Sequence, residues 1–357
     1  TAAREAILLD FETGHVLLEK DPDVSMPPAS MSKLMTLYLV FERLKDGRLS
    51  LDDTFSVSEN AWRNGGAASG SSTMFLEPHQ KVRVEDLIRG IIIQSGNDAC
   101  IVIAEALAGS EKNFAIEMTE KAHEIGMNGS TFANATGWPD PGQRMTPRDL
   151  AILAQNIISR FPEYYKYFSE ESFTYNGIRQ SNRNPLLFKT PGADGLKTGH
   201  TSEAGYGLTS SAAREGRRLV LVVNGLNSVR ARSDESERLI EWGFREFNNY
   251  ALFKNGEKVT DAELWLSDKV SVPLMINEDV IVTLPRKSRK EMKVSVEYEG
   301  PIAAPVKQGQ QLAKLVISAP ETDTIEIPLY AGEDAERLGF VGRLGAALKS
   351  IIWGVTG

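Results

Sequence analysis

The sequence predicts an α/β domain followed by a small all-β domain and a terminal amphipathic helix. Three patterns carry that prediction. β-type runs stand at both ends of a helical block, at 4–20 and 196–224, so one sheet is assembled from N- and C-terminal pieces with helices packed against it. Between 251 and 330, short β-prone runs recur about every ten residues, separated by Gly, Pro and Asn, as in a small sandwich or barrel. From Asp334 to Trp353, apolar residues return at helical spacing. The implied divisions are 1–250, 251–333 and 334–357.

In chain order, 4–11 and 15–20 read as strands around the turn Glu12-Thr13-Gly14. A loop with Pro22, Pro27 and Pro28 leads into a helix over 30–45. Helical spacing continues over 84–94 and 98–108, interrupted by Ser95-Gly96-Asn97, and Ser110 caps a further helix to about 126. Thr146-Pro147-Arg148-Asp149 combines an N-cap, a first-turn proline and an acid, which predicts a helix over 147–160. Strands follow at 196–201, 205–213 and 217–224, the last two joined at Glu215-Gly216. Ser233 then caps an acid-led helix that ends near Asn248 and closes the first domain near Tyr250. The β-prone runs beyond it are 263–266, 270–274, 280–284, 293–298, 312–317 and 324–329. In the last segment Leu338, Val341, Leu344, Leu348, Ile351 and Ile352 share one side and Trp353 lies at the end. A sheet-closing helix fits this pattern; the breadth of the stripe favours a helix lying in a membrane surface.

The net charge of −8, from 40 basic and 48 acidic residues, argues against nucleic acid as the partner, since phosphate binding needs a basic footprint. One cysteine, Cys100, excludes an internal disulfide and a cysteine-cluster metal site, and reads as a packing residue rather than a nucleophile. The four histidines, His15, His79, His123 and His200, lack metal-ligand spacing, so no metal and no cofactor are expected. No apolar run is long enough to span a bilayer. The chain opens on threonine without a charged-then-apolar leader and is read as a processed product, for which secretion is allowed.

Three motifs carry chemistry. In Ser30-Met31-Ser32-Lys33 the lysine lies one turn after the serine on the same face, where a neutral amine can take the hydroxyl proton. Keeping an ordinary lysine neutral at pH 7 costs about 4–5 kcal/mol, so the pair needs burial and a second cation. Alone, it also fits a capping serine and a solvated lysine. Lys197-Thr198-Gly199 supplies that cation and a hydroxyl for a substrate carboxylate, while Gly199 lets a substrate backbone approach a strand edge. An exposed strand lysine beside a turn glycine is the plainer reading. Ser95-Gly96-Asn97 offers a hydroxyl and an amide on one tight turn; Ser58-Glu59-Asn60 matches the same pattern, in a stretch polar enough to be surface. Gly65-Gly66-Ala67-Ala68-Ser69-Gly70 reads as a flexible loop at the cleft rim and lacks the ending of a phosphate cradle.

In this order the three motifs are those of penicillin-binding proteins and class A β-lactamases. The chain closely resembles the low-molecular-mass penicillin-binding proteins, specifically D-alanyl-D-alanine carboxypeptidases of the penicillin-binding protein 5 type. The resemblance runs through residues 28–36, 95–100 and 194–201, with Asn176-Gly177-Ile178 and Asn182-Arg183-Asn184, and covers most of 1–250. It implies a serine β-lactamase/transpeptidase-like fold with an antiparallel sheet. The implied enzyme stands on the periplasmic side of the cytoplasmic membrane and removes the terminal D-alanine from peptidoglycan pentapeptides. In it Ser30 is the nucleophile, Lys33 its base, Ser95 a proton relay, and Asn97, Lys197, Thr198 and Gly199 binding partners. The oxyanion is held by the backbone N–H groups of Ser30 and His200. Arg232, just before the closing helix, matches the family's carboxylate-binding arginine, with Arg183 as a second candidate. β-Lactams are expected to acylate Ser30 and leave slowly, because residues 137–143 hold no glutamate to activate a deacylating water, although Asp140 lies there. A D,D-endopeptidase, a weak β-lactamase and a non-catalytic penicillin-binding module are the alternatives on the same fold.

Overall fold

The computed structural model describes residues 1–339, which form two compact units divided between Arg245 and Glu246. In the first, a five-stranded antiparallel sheet runs in the order Val16–Lys20, Glu5–Asp10, Arg217–Leu226, Gly205–Arg214, Ala193–Thr201. The first hairpin joins the late strands by pairing Glu5 with Asn224 and Asp10 with Leu219. Strand Ala193–Thr201 is left at the sheet edge.

Helix Lys33–Lys45 is central because every residue from Lys33 to Phe41 is buried. A helix apolar on all faces has to be wrapped by neighbours, and Lys33 enters the interior as its first residue. Around it stand helices Val84–Ile93, Asn97–Ala108, Glu111–Glu124 and Pro147–Arg160. Their starts follow local chemistry. Ser110 Oγ accepts from Asn113 N at 3.1 Å, and Thr146 Oγ1 accepts from Asp149 N at 3.1 Å.

Several boundaries differ from the sequence reading. The closing helix runs Val229–Glu246, so Ser228 rather than Ser233 supplies its cap, accepting from Ala231 N at 3.0 Å. Arg232 therefore lies inside that helix instead of before it. The chain passes from Glu246 directly into strand Phe247–Phe253, with no Gly or Pro to mark the change. That strand pairs with Val280–Pro285, and the expected boundary near Tyr250 falls within it. Helix Glu59–Gly65, the strand pair Thr54–Ser56 with Lys81–Arg83 and the hairpin Ser172–Tyr175 with Ile178–Ser181 have no counterpart in the sequence pattern.

The second unit is all-β among its described residues: a six-stranded sheet with a two-stranded one around Val272, Leu274, Leu315 and Leu329. The helix expected from Asp334 does not begin there. Ala335 bridges to Val306 and Arg337 to Ser267, so 334–339 are extended, and the buried Ala335 joins the β core. The rest of that expected helix lies outside the described residues.

The first hairpin depends on one buried carboxylate. Asp10, fully buried, accepts from Glu12 N, Thr13 N and Thr13 Oγ1 and receives Arg217 Nε at 2.8 Å. Asp10→Ala is expected to destabilise the first unit by about 3–5 kcal/mol, the cost of breaking a buried ion pair from one side. Urea denaturation checks this; a loss below about 1 kcal/mol would show the pair to be dispensable.

Candidate active site

Pro27-Pro28 lead into a 3-10 turn, Ala29–Ser32, that runs straight into helix Lys33–Lys45. Ser30 caps neither. Its Oγ lies 2.8 Å from Lys33 Nζ, and Ala29 before it is held at φ +49, a left-handed conformation unfavourable for a residue with a side chain. Lys33 Nζ also donates to Asn97 Oδ1 at 2.7 Å and to the Thr136 carbonyl at 2.6 Å. Both of these oxygens can only accept. In the neutral amine they keep the two N–H bonds, and the lone pair is left for the Ser30 hydroxyl.

Burial pushes Lys33 down to about 8, and the charge of Arg183 works in the same direction against Asp98 and Glu111. Reaching the neutral form at pH 7 then costs about 1.4 kcal/mol instead of the 4–5 of an ordinary lysine. The sequence reading made Lys197 the cation that depresses Lys33. In the structure burial first, and then the charge of Lys33, hold Lys197 itself well below the usual lysine range. The two amines differ in their partners. Lys33 has three oxygens within 2.8 Å, whereas Lys197 Nζ donates to the Thr198 carbonyl at 3.2 Å.

The Ser95-Gly96-Asn97 turn is as buried as its apolar support suggests. Ser95 sits at φ +59, and its hydroxyl has no hydrogen-bond partner among the described residues. Asp98 ties this turn to the next segment, accepting from Thr73 Oγ1 at 2.6 Å and from Met74 N and Leu76 N at 3.1 Å. Asn97 N donates to the Ser72 carbonyl at 2.7 Å, so Ser72 is brought to the cleft. Ser58, the rival match, caps helix Glu59–Gly65 by accepting from Ala61 N.

Opposite stands the edge strand. A Cβ on Gly199 would lie 2.9 Å from the Pro28 carbonyl oxygen and 3.2 Å from the Ala29 Cβ. The sequence reading reserved that space for a substrate backbone; it is the protein's own Ser30 turn that needs it. Ser30, Ser95, Arg183, Thr198, Gly199, His200 and Arg232 line one cavity of about 400 Å³. Arg232 is buried, lowered to about 10 by that burial, and its Nε has no partner among the described residues. Arg183 donates to Ser72 Oγ at 2.6 Å, presented by two asparagines whose side chains are spent on backbone: Asn182 Nδ2 on the Glu170 carbonyl, Asn184 Nδ2 on that of Gly195. A second cavity of about 340 Å³ shares Ser30, Ser72 and His200 and extends to Thr136 and Trp138.

A half-buried serine paired with a buried lysine, facing a cavity with two arginines, suits acyl transfer from a peptide with a free carboxylate. Residues 1–228 match the family described as D-alanyl-D-alanine carboxypeptidase, and 247–337 match the C-terminal domain of penicillin-binding protein 5. The chain belongs to the D-alanyl-D-alanine carboxypeptidase family. It is 41% identical over 345 residues to D-alanyl-D-alanine carboxypeptidase DacC of Escherichia coli, covering 96% of this chain and 86% of that protein. Penicillin-binding protein 5 from Haemophilus influenzae superposes with a TM-score of 0.84 at 36% identity, over 94% of this chain and 98% of that one. Penicillin-binding protein D2 from Listeria monocytogenes, solved with ampicillin bound, has a TM-score of 0.59 at 32% identity, over 68% of this chain and 97% of that one. The fold is therefore that of penicillin-binding protein 5, and the chain is an enzyme of a serine carboxypeptidase family.

Against this carboxypeptidase fold the remaining candidates sort themselves. Cys100 is buried and its thiol pushed up to about 12 by that burial, which leaves it protonated and unreactive. Residues 65–70 form a helix end and a short 3-10 turn, and Ser69 and Gly70 reach cavity walls. Asp140 is exposed and lines neither cavity that contains Ser30. The sequence reading missed Thr136, whose contribution is a backbone carbonyl and so leaves no side-chain signal. The signal nearest to it was Asn134, whose Oδ1 gathers the Thr136, Gly137 and Trp138 N–H groups into one turn.

Because the base must be neutral, the rate at which penicillin acylates the protein should rise about tenfold per pH unit below 8 and level off above it. Stopped-flow or mass-spectrometric acylation rates from pH 6 to 10 check this. A rate independent of pH across 7–9 would exclude Lys33 as the base.

Proposed function

We propose that this enzyme cleaves the terminal D-alanine from peptidoglycan peptides ending in D-Ala-D-Ala through an acyl-enzyme on Ser30. The observation that carries the reading is the 2.8 Å contact from Lys33 Nζ to Ser30 Oγ, with the amine's other contacts taken by carbonyl oxygens. Ser30 Oγ attacks the penultimate D-alanine carbonyl as Lys33 takes its proton. The backbone N–H groups of Ser30 and His200 receive the oxyanion. The peptide C–N bond breaks, the leaving amine gains its proton by way of Ser95 and Lys197, and water then hydrolyses the ester. Arg232, Arg183 and Thr198 bind the departing carboxylate, supported by their common cavity. Asn97, whose Oδ1 faces Lys33, has its Nδ2 for the acyl carbonyl.

β-Lactams enter the same path as acylating inhibitors. The lack of a glutamate in 137–143 and the position of Asp140 outside the Ser30 cavities support slow release. With peptidoglycan as substrate the enzyme works outside the cytoplasm. Peripheral attachment to the periplasmic face of the membrane is supported by the apolar pattern toward the C-terminus. Among the described residues no helix is long and apolar enough to cross a membrane.

Wild-type protein should release D-alanine from a D-Ala-D-Ala peptide and carry one penicillin adduct that maps to Ser30; Ser30→Ala should lose both. Release unchanged in Ser30→Ala would overturn the assignment. The attachment is tested by removing 340–357, a cut that spares the bridges at Ala335 and Arg337. Liposome co-sedimentation should be lost while activity on a soluble peptide remains; co-sedimentation equal to that of the full chain would refute the anchor.

A further inference from the structure

In the second unit two large apolar side chains stand in solvent at one end of the sheet. Trp265 is 46% exposed and Val270 85%. They flank the turn between strands Lys258–Trp265 and Ser271–Met275, closed by Leu264 N donating to the Val270 carbonyl at 2.9 Å. Two other segments lie against this turn. Ala304 N donates to the Trp265 carbonyl at 3.0 Å, between the exposed Ala303 and Pro305. Leu338 N donates to the Leu266 carbonyl at 2.9 Å, and Asp268 N to that of Glu336 at 3.0 Å. Gly339, the last described residue, is therefore one position from a bond to the turn, and the sequence continues from there into 340–357.

The polar groups of this end are spent on one another. Lys269 N donates to Ser267 Oγ at 3.1 Å and Glu336 N to Asp268 Oδ1 at 2.8 Å. Lys269 Nζ lies 3.0 Å from a Glu333 oxygen, and Lys307 Nζ 3.0 Å from Glu336 Oε1. A turn whose N–H groups and charges are already paired enters an apolar boundary without the desolvation cost of orphaned donors. Tryptophan suits such a boundary, because its ring is buried while its N–H stays wet.

We infer that the turn 265–270 is a second lipid contact, with Trp265 and Val270 entering the boundary between headgroups and acyl chains. The inference rests on the peripheral attachment proposed above. The path of the chain singles out a bilayer as the occupant: the segment that leaves the turn carries Val341, Leu344, Leu348 and Ile351 at helical spacing, the pattern of a surface-lying element. Binding through one apolar element is readily reversed, and a second on the same rigid unit adds to it with little further ordering cost.

Cys100 is the one cysteine of the chain and is buried, so an environment-sensitive thiol label goes to an introduced site. Carried by Val270→Cys in the full chain, the label should shift to the blue on adding vesicles of phosphatidylethanolamine and phosphatidylglycerol, and should be quenched by quencher-bearing acyl chains. At Thr324→Cys, exposed at the opposite end of strand Ile325–Ala331 from 334–338, it should do neither. Trp265→Ser and Val270→Ser should each weaken vesicle partitioning about tenfold, the scale of one apolar side chain removed from water. That ratio should hold at low and high salt, with kcat/KM on a soluble D-Ala-D-Ala peptide unchanged. An unshifted label at 270 on a chain that does bind vesicles, or wild-type partitioning by both serine variants, would overturn the inference while the anchor at 340–357 stands. A label already shifted in buffer, and released by removing 340–357, would also overturn it by giving the turn to the chain's own segment. No vesicle binding by the full chain would overturn both the turn and the anchor.

Discussion

The site depends on one amine held in the protein interior with no carboxylate partner among the described residues. A buried ammonium is tolerable when its three protons are satisfied, and Lys33 has three oxygens for them. Because those oxygens belong to a hydroxyl, an amide and a backbone carbonyl, none supplies the negative charge that would hold the proton tightly. Burial therefore lowers the affinity for the proton instead of being cancelled by a counter-ion.

Other features of the first unit serve that arrangement. The three oxygens come from positions 30, 97 and 136, on a 3-10 turn, a helix start and a loop. Each is fastened by something short-range. Asp98 collects three partners from residues 73–76, and Asn134 collects three N–H groups of its own loop. Close approach does the rest. A Cβ on Gly137 would lie 2.0 Å from the Ala29 carbonyl oxygen, and one on Gly65 would lie 2.4 Å from Asp98 N. The strained conformations at Ala29 and Ser95, each costing about 1–3 kcal/mol, are held by this surrounding packing.

Legibility in the sequence followed the range of the determining interaction. Caps at Ser110 and Thr146, the hairpin at Glu215-Gly216 and the spacing of Ser30 and Lys33 are set within one turn of chain, and the sequence exposed them. The closing helix was misjudged because Ser233 precedes acids and reads as a cap, whereas Ser228 precedes Val229-Arg230-Ala231-Arg232 with no acid in the first turn; the earlier start buries Arg232 and Ser236. Strand Phe247–Phe253 was hidden because its partner, Val280–Pro285, is more than twenty residues away. Residues 334–339 have a helical pattern, but pairing of Ala335 with Val306 overrides it.

By itself the sequence determined that a serine and a lysine share a helix face, that a second lysine stands on a strand, and that helices are enclosed by early and late strands. Those are consequences of periodicity and turn chemistry, which act locally. Tertiary structure decided that both lysines are buried, that Gly199 makes room for the Ser30 turn, and that a backbone carbonyl at 136 completes the environment of Lys33. Proton affinity depends on burial and on the nearest few ångströms of dipoles, and both exist only once segments distant in the chain have closed around the amine.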